Sequence, residues 1–357
     1  MKKVSVGILG ATGMVGQRFL ALLDHHPWFD VTHLAASPRS AGKNYSDAVE
    51  GRWLMNSAIP EYAKKISVED VEKDCKSIAS DVDLVFSALD MEKEQIKTVE
   101  NNYAKQGVGV VSNNSAHRWT DDVPMIMPEI NPEHAAIIDA QRKHHQWEGF
   151  IAVKPNCSIQ SYVPAIHALK GFKPQKISVT TLQAISGAGK TFRTFPEILD
   201  NIIPFIKGEE EKSEKEPLKI WGSLNNGKIE MAKEPHISAT CLRAPVSDGH
   251  MASVFISFKD KPTREDMLSS WKNFHHPLED LHLPSEPTHF MNYFDQDDRP
   301  QTKLDRDVEH GMGISIGRLR EDPLFDWKFV SLSHNTIRGA AGGAILVAEL
   351  LRAKKYF

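Results

Sequence analysis

The fold is decided by Val4-Ser-Val-Gly-Ile-Leu-Gly10-Ala-Thr-Gly13-Met-Val-Gly16, a short apolar run of strand length that breaks into glycines. Beyond it Phe19, Leu20, Leu22 and Leu23 recur at helical spacing, so the segment reads as strand, glycine turn, helix. The G-x-x-G-x-x-G spacing is a variant of the dinucleotide fingerprint, in which glycines let the backbone approach a pyrophosphate at a helix N-terminus. Gly10, Thr12, Gly13, Met14 and Val15 are therefore candidate cofactor contacts. The next strand, Val31 to Ala36, should end at the adenosine ribose, where an acid would accept from an unmodified 2′-hydroxyl. Instead Ser37-Pro38-Arg39-Ser40-Ala-Gly-Lys43 follows, with two cations and no acid. Unless it is only a solvated basic loop, it would welcome a 2′-phosphate, so NADP is expected rather than NAD.

Working outward, Asp83 to Leu89 reads as another parallel strand, Glu92 to Gln106 as its crossover helix, and Gly109 to Ser112 as the strand after it. The alternation predicts a Rossmann-like, doubly wound parallel sheet, whose ligands lie beyond the carboxyl ends of its strands. Ser87 and Ala88 fall at one such end, and the polar turn Asn113 to Arg118 at another. Arg118 is then either a guanidinium at the crevice or a surface cation. Further on, Lys176 to Ile185, Ala252 to Phe258, Gly313 to Leu319 and Lys328 to Leu332 are partly alternating strand candidates with few helices between them. They predict an α+β second domain on a mixed sheet, giving an α/β protein overall. The helical spacing of 337–353 is long enough to return to the first domain, so residues 1–154 plus 337–357 are expected to bind the cofactor and 155–336 to form the catalytic and oligomerisation domain. The charge run beginning at Glu209 reads by default as a solvated face.

One cysteine stands out. Lys154-Pro155-Asn156-Cys157-Ser158 precedes Ile159 to Lys170, an apolar run that reads as a helix. Pro155 favours an extended residue before it, and Asn156 or Cys157 can cap the helix, placing the thiol at its positive dipole end. That setting lowers a thiol pKa and makes a nucleophile; the alternative is a small core hydrophobe. Cys75, Cys157 and Cys241 are odd in number and lack metal-ligand spacing, so free thiols and no metal are expected. A chain of 357 residues with 25% charged and 41% hydrophobic residues fits two packed domains. No apolar run approaches membrane-spanning length, Met1-Lys2-Lys3 leads into a strand, and the net charge of −4 gives no reason to expect nucleic acid. A cytoplasmic protein acting on a small-molecule substrate is expected.

The Gly10 to Gly16 turn, Asn156-Cys157-Ser158, Gln183-Ala-Ile-Ser-Gly187-Ala-Gly189 and the pair Arg243 and His250, with six residues between them, occur in order across the chain. As a set they resemble the aspartate-β-semialdehyde dehydrogenase family over essentially the whole length, and the 37–43 and 209–212 segments look closest to its archaeal and fungal branch. The resemblance implies that Cys157 is the nucleophile, that His250 is the acid/base residue, and that Gln183 orients the acyl group. It implies Arg243 for the substrate carboxylate, Arg118 and Lys212 for phosphate, Glu209 for the substrate ammonium, and Asn156 as a further substrate contact. Ser186, Gly187 and Asn335 would lie beside the nicotinamide. A homodimer or homotetramer is implied as well. Rival readings are a related acyl phosphate reductase acting on N-acetylglutamyl phosphate, a glyceraldehyde phosphate type dehydrogenase, whose usual Ser-Cys-Thr-Thr-Asn site is absent here, and a silent NADP-binding sensor.

Overall fold

The computed structural model describes residues 3–357. Six strands, β1 (Val4–Leu9), β2 (Phe29–Ala36), β3 (Val68–Asp70), β4 (Leu84–Ser87), β5 (Gly109–Ser112) and β6 (Phe150–Val153), form one sheet in the order β3-β2-β1-β4-β5-β6. Every pairing is parallel. Each residue of β4, β5 and β6 is buried, as in a sheet covered by helices on both faces. The strand order reverses beside β1, so the crevice at that switch point lies above Gly10 and the ends of β1 and β4. The crossover helix is Lys93–Lys105, within a residue of its expected limits.

The second sheet is mixed. After β7 (Pro174–Gln183) and a small hairpin of β8 (Ser223–Asn225) and β9 (Lys228–Glu230) come β10 (His236–Arg243), β11 (His250–Phe258), β12 (Met291–Phe294), β13 (Ile314–Glu321) and β14 (Trp327–Ser333). Their order is β10-β7-β11-β14-β13-β12. The β10–β7 and β12–β13 pairs are parallel and the other three antiparallel. Buried residues alternate strictly along β11, from His250 to Phe258. The closing segment forms a π-helical turn over Ile337–Ala341 and then the α-helix Gly342–Ala353. Its Ile345, Leu346 and Leu350 join Val6, Ile8 and Phe86 of the first sheet in one apolar core.

Two expectations fail locally. Ile159 to Lys170 is not one helix but a 3₁₀ turn, Ile159–Ser161, and a single α-turn, Val163–His167, because Pro164 removes a backbone donor. The charge run is helical, Glu209–Ile220, but Glu209, Ser213, Glu216 and Lys219 are buried, so one full stripe of that helix faces inward rather than water.

Candidate active site

Strand ends from both sheets converge on Cys157. In the second sheet Gln183 pairs with Arg243 where β7 and β10 end together, and Leu182 pairs with Met251, which sets His250 alongside. β14 ends at Ser333, opposite His250, and delivers Asn335 two residues later. From the first sheet, β6 runs directly into Lys154 and the Cys157 loop. A cleft of about 660 Å³ spans the junction, lined among others by Gly13, Ala88, Arg118, Cys157, Gly187 and Asn335. Met14, Val15, Asn156, Ser186, Glu209 and Lys212 line it too.

The thiol is partly exposed, and its Sγ lies 3.5 Å from Nε2 of the fully buried His250. Asn156 makes the loop rigid. Its Oδ1 accepts from the Ser158 N–H at 2.7 Å, and its Nδ2 donates to both Glu209 oxygens at 3.0–3.1 Å. Asn156 thus closes the loop just before the 3₁₀ turn, whose N-cap position is Ser158, rather than capping a helix, and the thiol's electrostatics also differ from the expectation. Burial pushes the Cys157 thiol up and Glu209 adds to this, against Lys154, Arg118 and Arg243, which pull it down. A three-residue 3₁₀ turn has too few aligned peptides to offset the loss of water.

Lys154, which the sequence reading passed over, is 1% exposed, and its Nζ donates to the Pro155 carbonyl at 2.9 Å. Burial drags this ammonium down to about 7, against the opposing pull of Cys157. Gly339, in the π-helical turn, was also missed: a Cβ there would lie 2.8 Å from Cys157 Cβ, so only glycine lets the closing segment pack against the nucleophile loop.

Arg118 is 6% exposed, not a surface cation. Its Nη1 donates to Glu216 at 2.9 Å and its Nη2 to the Asn113 carbonyl at 3.1 Å. The other oxygen of Glu216 accepts from the Asn156 N–H at 2.6 Å, so one carboxylate braces both the arginine and the cysteine loop. Lys212 pairs with Glu209 at 2.7 Å. Burial opposes ionisation of Glu209, but Lys212, Asn156 and His250 hold it below its ordinary value. Its neighbours point elsewhere: Glu210 accepts from the Cys241 N–H, and Glu211 pairs with Lys215 at the surface. Gln183 is buried and donates to Thr181 at 3.2 Å, while Arg243 donates to the Ala184 carbonyl at 2.6 Å.

A dinucleotide fits the first-sheet end of the cleft. Gly10 has φ +85° and a Cβ there would lie 2.3 Å from the Ala88 carbonyl oxygen, so the turn requires glycine. The helix Met14–Leu23 has no side-chain cap and no acid in its first turn, which leaves N–H groups free for a phosphate. Thr12 flanks this turn, and Ser87 lies buried beneath it, accepting from Asn114 at 2.9 Å. Ser37, Arg39 and Lys43 are exposed beyond the end of β2, with Ser40 buried between them. They stand apart from the Cys157 end of the cleft. The Gly42 N–H, bonded to Val68 at 2.8 Å, ties that loop to β3. Asn335 donates to Ser186 at 2.9 Å and accepts from the Gly249 N–H at 2.8 Å, locking the two loops together.

Residues 5–138 match the family described as "Semialdehyde dehydrogenase, NAD binding domain", and residues 164–338 match "Semialdehyde dehydrogenase, dimerisation domain". With a cysteine–histidine pair beside a dinucleotide turn, these define the class: a semialdehyde dehydrogenase with a nicotinamide-cofactor domain and a dimerisation domain. Aspartate-semialdehyde dehydrogenase of Archaeoglobus fulgidus is 44% identical over 353 residues, covering 99% of each chain, and that of Candida albicans is 41% identical at the same coverage. The solved structure of the Candida albicans enzyme with NADP superposes with a TM-score of 0.89 at 39% identity, over 100% of both chains. The chain belongs to the aspartate-semialdehyde dehydrogenase family. Among the described residues no helix is long and apolar enough to cross a membrane.

Proposed function

We propose that the chain carries out NADP-dependent reductive dephosphorylation of L-aspartyl-4-phosphate to L-aspartate-4-semialdehyde, the branch-point step toward lysine, methionine and threonine, through a thioester on Cys157. The observation that carries this reading is one cleft lined by the cofactor turn, Cys157 and Arg118, with His250 3.5 Å from the sulfur and His250 and Arg243 packed directly behind the lining residue Gly187. The Cys157 sulfur attacks the acyl phosphate, which splits one difficult displacement into two easier steps. Bound NADPH supplies the hydride that reduces the resulting acyl group. His250 handles the hydrogen at the sulfur, and Gln183 orients the acyl carbon. Arg243 grips the α-carboxylate, Arg118 and Lys212 the phosphate, and Glu209 the ammonium, with Asn156 holding Glu209 in place. Gly10, Thr12, Gly13, Met14 and Val15 take the pyrophosphate; Ser37, Arg39, Ser40 and Lys43 take the 2′-phosphate. Ser87, Ala88, Ser186, Gly187 and Asn335 form the nicotinamide end.

Residues 1–154 with 337–357 form the cofactor domain and 155–336 the catalytic and oligomerisation domain, in a cytoplasmic homodimer or homotetramer. The test is NADPH oxidation with aspartyl phosphate against N-acetylglutamyl phosphate. An acetylated substrate has no ammonium for Glu209, so turnover of that substrate alone would refute the reading.

Replacing Arg39 with Ala should weaken NADP about tenfold or more and leave NAD nearly unchanged, since only NADP carries the 2′-phosphate. Equal losses, measured by fluorescence titration of both cofactors, would place Arg39 elsewhere. The two buried arginines should also separate. Arg118→Ala should raise the KM for phosphate in the oxidative direction and affect the semialdehyde KM much less, since only one ligand loses its partner. Arg243→Lys should damage both directions, because a point charge cannot reproduce the guanidinium fork and misplaces the carbonyl relative to Cys157. Steady-state kinetics varying phosphate and semialdehyde separately read both effects. An unchanged phosphate KM in Arg118→Ala would remove that assignment and leave Cys157 untouched.

A further inference from the structure

The glycine turn that opens the first sheet is braced from behind by two side chains. The Tyr45 hydroxyl donates to the Ala11 carbonyl at 2.9 Å, and Gln17 Nε2 donates to the Thr12 carbonyl at 3.0 Å. Tyr45 is wholly excluded from water and Gln17 is 1% exposed. Each is fixed in turn. Gln17 Nε2 also donates to the Arg52 carbonyl at 2.9 Å, and its Oε1 accepts from the Leu54 N–H at 2.7 Å. The Tyr45 N–H donates to the Ile66 carbonyl at 2.9 Å, and its ring meets Trp53 edge-on. Burial pushes the Tyr45 hydroxyl above its ordinary value, so it remains a donor around neutral pH.

A trans peptide is planar, and its C=O and N–H point in opposite directions. Holding the Ala11 carbonyl on Tyr45 therefore aims the Thr12 N–H the other way, and holding the Thr12 carbonyl on Gln17 sets the plane that carries the Gly13 N–H. The Gly13 N–H donates to the Gly10 carbonyl at 3.1 Å and closes the turn, while those of Gly10 and Ala11 donate to the Ala35 carbonyl at 2.8 and 3.0 Å. Among the described residues no acceptor meets the N–H groups of Thr12, Met14, Val15 or Gly16.

We propose that Gln17 and Tyr45 are positioning residues for the dinucleotide, holding the turn so that it presents bare N–H groups to the pyrophosphate although neither side chain lines the cleft. The proposal rests on the assignment of the 10–15 turn to the pyrophosphate. Without the brace these peptides can turn over, because Gly13 has no side chain to resist it, and a carbonyl facing the cofactor repels a phosphate. Pyrophosphate is common to NADP and NAD, so the brace serves both equally, unlike the 2′-phosphate contact proposed for Arg39.

Fluorescence titration of the full chain tests this. Tyr45→Phe deletes one oxygen and keeps the ring packed. Tyr62→Phe is its control, because the Tyr62 hydroxyl donates to the Leu20 carbonyl of the same helix at 2.9 Å, two turns beyond the glycines. Tyr45→Phe should weaken NADPH and NADH by the same factor, about fivefold to tenfold, and Tyr62→Phe should change neither by more than about twofold. Gln17→Met should weaken both cofactors as Tyr45→Phe does; should it fail to fold, Tyr45→Phe by itself decides. Thermal unfolding without cofactor provides the contrast: both tyrosine variants lose one hydrogen bond, so a general loosening would move binding in both. Unchanged binding in Tyr45→Phe would overturn the proposal. So would a loss confined to NADPH, which would tie Tyr45 to the 2′-phosphate loop, or an equal loss in Tyr62→Phe. Titration of the parent chain separates the underlying reading: no binding of either cofactor there removes the site itself, whereas binding that survives Tyr45→Phe removes only the brace.

Discussion

Cys157→Ser loses activity by roughly a thousandfold or more while NADP binding and the unfolding midpoint stay close to those of the parent. An alcohol in this loop is essentially never ionised. The thiol itself is pushed up by burial, so the margin that Lys154, Arg118 and Arg243 provide for sulfur is far from sufficient for oxygen. The side chain fills nearly the same space against Gly339, and the loop is held by Asn156 rather than by the sulfur, so folding should not suffer. NADPH oxidation, with cofactor binding measured in parallel, reads both arms. A variant that keeps a tenth of the activity would show that another group is the nucleophile.

The second large effect is structural. Arg338 and Glu129 form a two-pronged ion pair with both residues essentially excluded from water, and the guanidinium also lies 4.7 Å from the ring centroid of Phe290. Three distant segments are pinned at one point: the stretch after β5, the loop before β12 and the start of the closing helix. Arg338→Met strands a buried carboxylate, for which a cost of about 3–5 kcal/mol is expected. Removing both charges in Arg338→Met/Glu129→Leu should recover most of that loss, since no uncompensated charge remains. Urea unfolding of the single and double variants checks it. A single variant within about 1 kcal/mol of the parent would mean that water reaches the pair.

The legibility of these features in the sequence follows their range. The glycine turn could be read because strand, turn and helix are all local, and Gly10 is required by its own φ and by a neighbouring strand. Of the long strands, β2, β7, β11, β13 and β14 can be read from period and apolar content, whereas the eight-residue β10, His236–Arg243, is not among the strands read. The short β3, β6 and β12, of three or four residues each, are too brief to show a pattern. The helix after Cys157 was misread because apolar content outweighed Pro164, and with the helix went the electrostatic argument for a depressed thiol.

What the sequence determined by itself was the fold class and the chemical types available to the site: a cysteine after Pro155 and Asn156, a cation pair beyond the end of β2, a late histidine and two arginines. Their meeting was decided only in three dimensions. Glu209 and Glu216 stand two helical turns apart in a charge run that looks solvated in one dimension. Packing turns that stripe inward, onto Asn156 and Arg118. Arg338 and Glu129 lie too far apart in sequence for any local pattern to pair them, and the Ala184 N–H that donates to the His250 ring is a backbone group with no sequence signature at all. The physical reason is common to all three: burial makes an unpaired polar group costly, so the tertiary structure selects partners that composition and spacing leave open.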